Sequence, residues 1–351
     1  MVAKQKRILF IDGNFSDFDA DTPKTKPIGG IESVTIHLST HLANKACDVT
    51  VWNGTHKPSK IRGVNWVNSL EGESAPFTHI ISNNDPTCFM RVPKMLLTKN
   101  TQTYLWLHNP ISFAKVIKKR RLWAFLKFRP HGVFVSHQQK SVTSKYLPFS
   151  GTSVVPHGLD PVFMSLPEKR NVPGAKKAVF FSQPYRHLKE LITCWIKYVH
   201  PKCPQAALEI LAKRDDPALS DFSNATLDQN NIFILPKKTR RGVIDLLSEA
   251  RALFYFGHKD ETFCLVAAEA QAAGTPVVTQ GIGALQDRVI HNETGFIEKD
   301  EEKLANYLIT LMHDDALWAC FSANAIQTRK DYAWDKIADI WLNQVLIDAK
   351  T

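Results

Sequence analysis

The first regular stretch of the chain, "RILFID" (residues 7–12), is apolar without alternation, as expected of a strand covered on both faces in a parallel sheet. A polar loop leads to "IGGIESVTIHLSTHLANKACDVTVWN". There Ile31, Val34, Leu38 and Leu42 recur at helical spacing, and Val49 to Trp52 returns to strand character. This is a strand-loop-helix-strand unit with a glycine pair at the helix mouth. Further apolar segments follow in "HIIS", "TYLWLH", "GVFVS" and "SVVPHG". The rhythm restarts after "PHGLDPVFMSLPEKRNVPGAKK", whose Pro, Gly and charge content predicts a linker. Beyond it lie "AVFFS", a helical stretch near Leu188 to Tyr198, "ALEILAK", "NIFIL", the helix "RRGVIDLLSEA", "ALFYF" and "PVVT". The chain ends in "DYAWDKIADIWLNQVLIDA", with Trp334, Ile337, Ala338, Trp341 and Val345 on one side of an amphipathic helix. The pattern predicts an α/β protein of two Rossmann-like domains facing a central cleft, with residues 1–160 in the first and 161–330 in the second. Residues 331–351 are expected to form a helix that packs back on the first domain.

Length supports two domains, because 351 residues is about twice the usual single-domain size. A hydrophobic share of 44% suffices for two cores. No apolar run approaches the roughly 18 residues of a membrane span. "MVAKQKRILFIDGN" has too short an apolar run for a signal-peptide core, so a cytoplasmic location is expected. The six cysteines are scattered without a C-x-x-C pair, which predicts neither a metal site nor a disulfide framework. The net charge of +10 suits an anionic partner, whether phosphorylated small molecule, acidic membrane or nucleic acid.

Chemistry enters at "ETFCLVAAEAQAAGTPVVT" (261–279), which sets Glu261 and Glu269 eight positions apart around a small apolar run. On one helix that spacing means about 12 Å of rise and about 80° of rotation. Two acids so placed cannot flank one bond as a hydrolase pair does. They could contact two ends of an elongated ligand, with phosphate at the helix N-terminus between them. The plainer alternative makes Glu261 a helix cap and Glu269 a solvated mid-helix residue. Yet Glu269 sits among packing side chains, where an unpartnered carboxylate is costly.

The segment "ETFCLVAAEAQAAGTPVVTQGIGALQDRVIHNETGFI" resembles the nucleotide-binding signature of retaining glycosyltransferases with the GT-B fold, family 4. "GGIES", "VVPHGLDPVF" and "YAWDKIA" resemble further parts of that family, the carboxyl half being the more specific match. The resemblance implies transfer of a hexose-type sugar, with retention, from a UDP- or GDP-linked donor to an acceptor hydroxyl. It implies that Glu261 contacts the donor sugar and Glu269 the ribose, with the amides of Phe263, Cys264 and Leu265 facing sugar and phosphates. Cys264 departs from the family's usual glycine, which puts the donor identity in question. Arg186, in "SQPYRHLKEL", falls where the family carries a basic residue before "GL", and is assigned to the diphosphate with Lys189 as second choice. His187 replaces the usual glycine there. His108 closes "TYLWLH" at a strand's carboxyl end, where α/β sites are built, and the family often places a donor-contacting histidine there. Gly29 and Gly30 serve either a tight turn or close approach of a ligand to the main chain, and Glu32 is expected to cap the helix they open. "GIGAL" (281–285) is expected to lay amides against phosphate.

No cofactor or metal is expected. The D-x-D within "DFDAD" (17–21) is read as a flexible acidic loop after the first strand, and "LPKKTRRG" as a mostly solvated cationic face from which one of Lys237, Lys238, Arg240 and Arg241 could reach the nucleotide. Residues 111–130, "ISFAKVIKKRRLWAFLKFRP", carry seven cations and no acid among aromatic residues. That composition suits either a packed helix with a wet basic side or an interfacial helix at an anionic membrane. The expected partners are a nucleotide-sugar donor and a carbohydrate or glycolipid acceptor, such as a lipopolysaccharide or polysaccharide intermediate, with no nucleic acid. Two alternatives stay open: a nucleotide-sugar epimerase on the same architecture, and a non-catalytic basic module that binds membrane or nucleic acid.

Overall fold

The structure is a computed structural model, and it describes residues 5–26, 28–170 and 174–347. The ends of the chain, Pro27 and the middle of the sequence-predicted linker (171–173) lie outside the described residues. The chain divides into two compact units. One holds the chain up to Gly158 together with the segment from Trp334 onward, and the other is Leu159–Ala333.

The first unit is built on an eight-stranded sheet. Its strands are β1 (Arg7–Ile11), β2 (Asp48–Trp52), β3 (Ser59–Ile61), β4 (Val64–Val67), β5 (His79–Asn83), β6 (Gln102–Leu107), β7 (His131–Phe134) and β8 (Thr152–Val154), in the order β3-β4-β2-β1-β5-β6-β7-β8. All pairings are parallel except β3 with β4. Ile8, Leu9, Phe10 and Ile11 are all fully buried, which is why β1 carries no polar alternation. Strand order reverses beside β1: β2 follows it on one side and β5 on the other. The helix Gly30–Asn44 carries the chain from β1 to β2.

Against that helix lies the segment from Trp334. Trp334 stacks on His37 with ring centroids 5.4 Å apart, and Lys45 pairs with Asp335 and Asp339 at 3.1 and 2.8 Å. The segment is an α-helix over Trp334–Ile340 that widens into a π-helical turn over Trp341–Val345. Gly158 passes so close to Trp334 that an added Cβ would lie 2.4 Å from the indole, so only glycine fits there.

The second unit has a six-stranded parallel sheet of β9 (Lys177–Phe180), β10 (Ala207–Leu211), β11 (Ile232–Leu235), β12 (Ala252–Phe254), β13 (Val277–Thr279) and β14 (Gly295–Ile297). The order is β11-β10-β9-β12-β13-β14. It reverses between β9 and β12, and ligand sites in parallel sheets are usually built at the carboxyl ends of strands at such a reversal. Both units are thus Rossmann-like. Arg329 ties the second together from inside, donating from Nε to the Ala272 carbonyl at 2.9 Å and from its Nη atoms to the Leu166 and Pro167 carbonyls at 2.6 and 3.1 Å. No helix among the described residues is long and apolar enough to cross a membrane.

Candidate active site

In the second unit, the loops from β9 and β12 converge on Glu261. Arg186 follows β9, and Tyr255 follows β12 directly. The buried Glu261 carboxylate accepts a hydrogen bond from Tyr255 Oη at 2.7 Å and pairs with the Arg186 guanidinium. Burial pushes the Tyr255 phenol up, and the neighbouring negative charge pushes it further, so it stays protonated and donates. Burial works against the charge on Arg186, but Glu261 outweighs it and holds the guanidinium above its ordinary range. The Arg186 guanidinium also lies 5.5 Å from the ring centre of Tyr185.

Glu261 is not on the helix that carries Glu269. That helix runs Leu265–Ala272, so the two acids belong to different elements and the 12 Å reckoning for a shared helix does not apply. The reason is local. Glu261 donates its N–H to the His258 carbonyl at 2.9 Å and accepts from the Ala284 N–H at 2.9 Å, which holds it in a loop packed on the glycine loop. Gly283 has φ +69°, and a Cβ there would lie 2.3 Å from the His258 carbonyl oxygen, so no other residue fits. Among backbone bonds of the helix, the Ala268 N–H is the first donor, to Cys264 at 3.2 Å, and the amides of Leu265 and Val266 precede it.

Glu269 lies one turn into the helix and is 6% exposed. It pairs with Arg240, whose Nε also lies 3.5 Å from Asp160. Arg240 opens the helix Arg240–Glu249, which Thr239 Oγ1 caps by accepting from the Gly242 N–H at 3.3 Å. Burial raises the Glu269 carboxyl to about 7, in spite of the opposing pull of Arg240. Arg240 is the member of the cationic stretch that turns inward to this cluster, whereas Asp160 and Tyr255 were not expected in it. Only "LPKKTRRG" hinted at Arg240, and that stretch reads as solvated because its neighbours are.

The two departures from the family's glycines share one backbone feature. Cys264 and His187 both have φ +62°, in the left-handed region that glycine occupies freely. Each costs about 1–2 kcal/mol relative to a right-handed residue. His187 recovers part of this by donating from Nδ1 to the Gly257 carbonyl at 2.7 Å. The Cys264 thiol is buried, and burial pushes it well above its usual range, so it stays protonated. Phe263 is buried against the Arg288 guanidinium, 4.5 Å from its ring centre. Lys189 does not join the cluster. Its exposed ammonium pairs with Asp221 instead.

In the first unit, His108 follows β6 and is buried. Its tautomer can be read from a chain of hydrogen bonds. Thr35 Oγ1 donates to the Ile31 carbonyl at 2.8 Å and accepts from Asn83 Nδ2 at 3.0 Å. Asn83 therefore turns its Oδ1 to His108 Nε2 at 3.0 Å, which requires a proton on Nε2. His108 Nδ1 is then the acceptor toward His157 Nε2 at 3.4 Å. Burial, and then the adjacent His157, lower the His108 pKa well below 6.5, so the ring is neutral. Such a ring donates from Nε2 and carries no charge.

Gly29 and Gly30 open the first-unit helix without left-handed angles, Gly29 having φ −73°. The Glu32 carboxylate lies over Gly29, where an added Cβ would come within 2.2 Å of one of its oxygens. Glu32 thus folds over Gly29, where an open approach for a ligand was one expectation. The glycine-opened helix has no side-chain cap. The acidic loop is internally occupied: Asp17 pairs with Lys26 at 3.2 Å, Asp21 with Lys24 at 2.8 Å, and Asp19 accepts the Asp21 and Thr22 N–H groups at 2.9 Å each. Among the described residues no three of His, Cys, Asp and Glu gather as a metal site. Residues 111–130 form two short helices, Phe113–Lys118 and Leu122–Phe128, rather than one interfacial helix. The break falls at Arg120, whose φ is +54°. Val116, Ala124 and Phe125 are buried, while Ile117, Trp123 and Leu126 are exposed.

A helix with one arginine-held glutamate in the loop before it and another a turn inside it, at the strand-order reversal of a parallel sheet, is an arrangement suited to an anionic, hydroxyl-rich ligand. Comparison with known proteins agrees with that class. Residues 183–328, all within the second unit, match the family Glycosyl transferases group 1. A D-inositol 3-phosphate glycosyltransferase of Xylanimonas cellulosilytica is 32% identical over 117 residues, 33% of this chain and 28% of that protein. The chain therefore spans under a third of the length of this curated relative. Among solved structures, sucrose-phosphate synthase from Thermosynechococcus elongatus has a TM-score of 0.68 at 16% identity, covering 97% of this chain and 98% of its own. Anabaena Alr3699/HepE, solved with UDP and glucose, has a TM-score of 0.65 at 16% identity, covering 97% and 99%. The fold is GT-B.

Proposed function

We propose that the protein is a glycosyltransferase that moves a hexose-type sugar from a nucleoside-diphosphate donor to an acceptor hydroxyl, with retention and without a metal. The observation that carries this reading is the cluster of Arg186, Glu261, Tyr255, Glu269 and Arg240 inside the stretch similar to Glycosyl transferases group 1. Glu261 takes hydroxyls of the sugar and Glu269 takes the ribose. Arg186 meets the diphosphate, whose charge grows as the sugar leaves, and a fixed cation stabilises that growth without reorganising. The similar proteins include a glycosyltransferase and a structure with UDP and glucose, which supports a nucleotide-sugar donor. The acceptor in this reading is a lipopolysaccharide or polysaccharide intermediate. The exposed Ile117, Trp123 and Leu126, set among cations, would rest on the cytoplasmic face of an anionic membrane.

The test is a calorimetric screen of UDP, GDP, ADP and TDP, followed by turnover assays with the matching sugar nucleotides. One nucleoside diphosphate should bind, and Glu261→Ala should abolish turnover while that nucleotide still binds. Full activity in Glu261→Ala would remove the residue from the reaction. Conversion of the donor without any acceptor would point to an epimerase, and loss of turnover on adding a chelator would contradict the metal-free mechanism.

A further inference from the structure

We propose that the first unit contains a pocket for an acidic group, phosphate or carboxylate, carried by the acceptor; this rests on the transferase reading above. The pocket is a cavity of about 510 Å³ beside His108, whose two chain neighbours Leu107 and Asn109 line it. Lys115, Lys118, Lys119 and Arg121 also line it, and no acidic residue does.

The spacing of the lysines is informative. Positions 115, 118 and 119 are related as i, i+3 and i+4, which puts three ammonium groups on one face of the helix Phe113–Lys118 and its cap. Like charges at those spacings repel and weaken a helix. Arg121 is answered by Asp85, but no ion pair among the described residues answers Lys115, Lys118 or Lys119. A bound anion would supply the missing counter-charge.

The wall beside these lysines is fixed. Asn84 Oδ1 accepts the N–H groups of both His108 and Asn109, at 2.8 and 3.2 Å. Gln139 Nε2 donates to the Leu107 and Asn109 carbonyls at 2.9 and 3.3 Å. Val116 is buried behind the lysine face, so the cations are held on a packed element. An acceptor whose acidic group sat among the lysines would have the rest of its body near the neutral His108 ring. A smaller cavity of about 190 Å³ adjoins, sharing Asn84, Asn109, Lys119 and Arg121 and adding Asp12 and Asn83. Carboxylate and amide groups of that kind suit sugar hydroxyls.

The experiment uses the full chain, with inorganic phosphate as the probe and calorimetry as the readout. The variants are a triple Lys115→Gln, Lys118→Gln, Lys119→Gln, the matching triple Lys→Arg, and Arg186→Ala. The lysines are exposed, so the triple variants should keep the wild-type thermal midpoint. Phosphate binding should weaken at least tenfold in the glutamine triple, survive in the arginine triple, and keep a first-unit component in Arg186→Ala. Binding of the nucleoside diphosphate should be unchanged in both triples. Phosphate binding that is unchanged in the glutamine triple overturns the pocket and leaves the donor reading intact; a chain that binds no nucleotide overturns the donor reading instead. A lipid arm uses phosphatidylcholine vesicles containing phosphatidylglycerol. If the glutamine triple loses vesicle binding but keeps phosphate binding, the lysines serve a membrane surface and the pocket is rejected.

Discussion

Under the proposed function, with the ribose at Glu269, nucleotide affinity should depend on pH in a way that can be worked out beforehand. The Glu269 pKa in the ligand-free protein is raised to about 7, chiefly by burial. At pH 6 the free protein therefore holds a proton there in about nine molecules of ten, and at pH 8 in about one of ten. Ribose hydroxyls donate hydrogen bonds, so a ribose contact favours the ionised carboxylate, and binding at pH 6 must first expel the proton. Affinity should fall about tenfold from pH 8 to pH 6, or about 1.4 kcal/mol. The sign is fixed by the direction of the shift: a raised acid penalises binding as pH falls. Calorimetry in buffers of different ionisation enthalpy reads both the affinity and the released proton, about 0.9 per binding event at pH 6. Because the nucleotide's own phosphate titrates nearby, the comparison is with Glu269→Gln, which should bind more weakly overall but lack this slope. An equal slope in Glu269→Gln, or no proton release beyond the nucleotide's own, would refute the ribose assignment.

The same shift acts on stability. Above the unfolded value of 4.5 and up to about 7, the folded chain keeps a proton that the unfolded chain gives up, so this group's contribution falls as pH rises. Between pH 5 and pH 8 the wild type should lose about 2.5 kcal/mol more than Glu269→Gln in urea unfolding of the second unit. Arg186→Ala should weaken binding of the nucleoside diphosphate far more than of the free nucleoside in calorimetric titration; equal losses would reject the phosphate role. Arg329→Ala leaves the buried Ala272 carbonyl and those of Leu166 and Pro167 without their buried arginine donor and should cost about 3 kcal/mol, seen as a lower urea midpoint. Nitrogen-15 NMR of the histidines should find His108 neutral, with its proton on Nε2, from pH 8 down to pH 6. Asn83→Asp should raise its pKa and bring its titration into that range.

The continuous apolar runs made both sheets legible, because strands buried on two faces leave no ambiguity with an amphipathic pattern. Buried Glu269 could also be argued for, since its neighbours are alanines. The helix start could not. Glu261 reads as a helix residue because nothing in "ETFC" signals that Cys264 turns left-handed. Arg240 was hidden for a different reason. Its partners Asp160 and Glu269 are 80 and 29 positions away, and a cation among cations looks solvated until the fold supplies the acids. Lys189 lies one helical turn from Arg186 in sequence, and in the ligand-free chain its ammonium pairs with Asp221. Residues 111–130 look like one helix by composition. Only backbone geometry puts the break at Arg120.

The two arginine-glutamate pairs have a bearing on selectivity. Neither acid stands vacant in the ligand-free chain, so under the proposed function a donor must offer enough to replace or rearrange an existing guanidinium contact. A molecule with phosphates but no sugar or ribose hydroxyls has nothing to give the carboxylates in return. The resting partnerships thus work as a toll on incomplete ligands, charged before any chemistry begins.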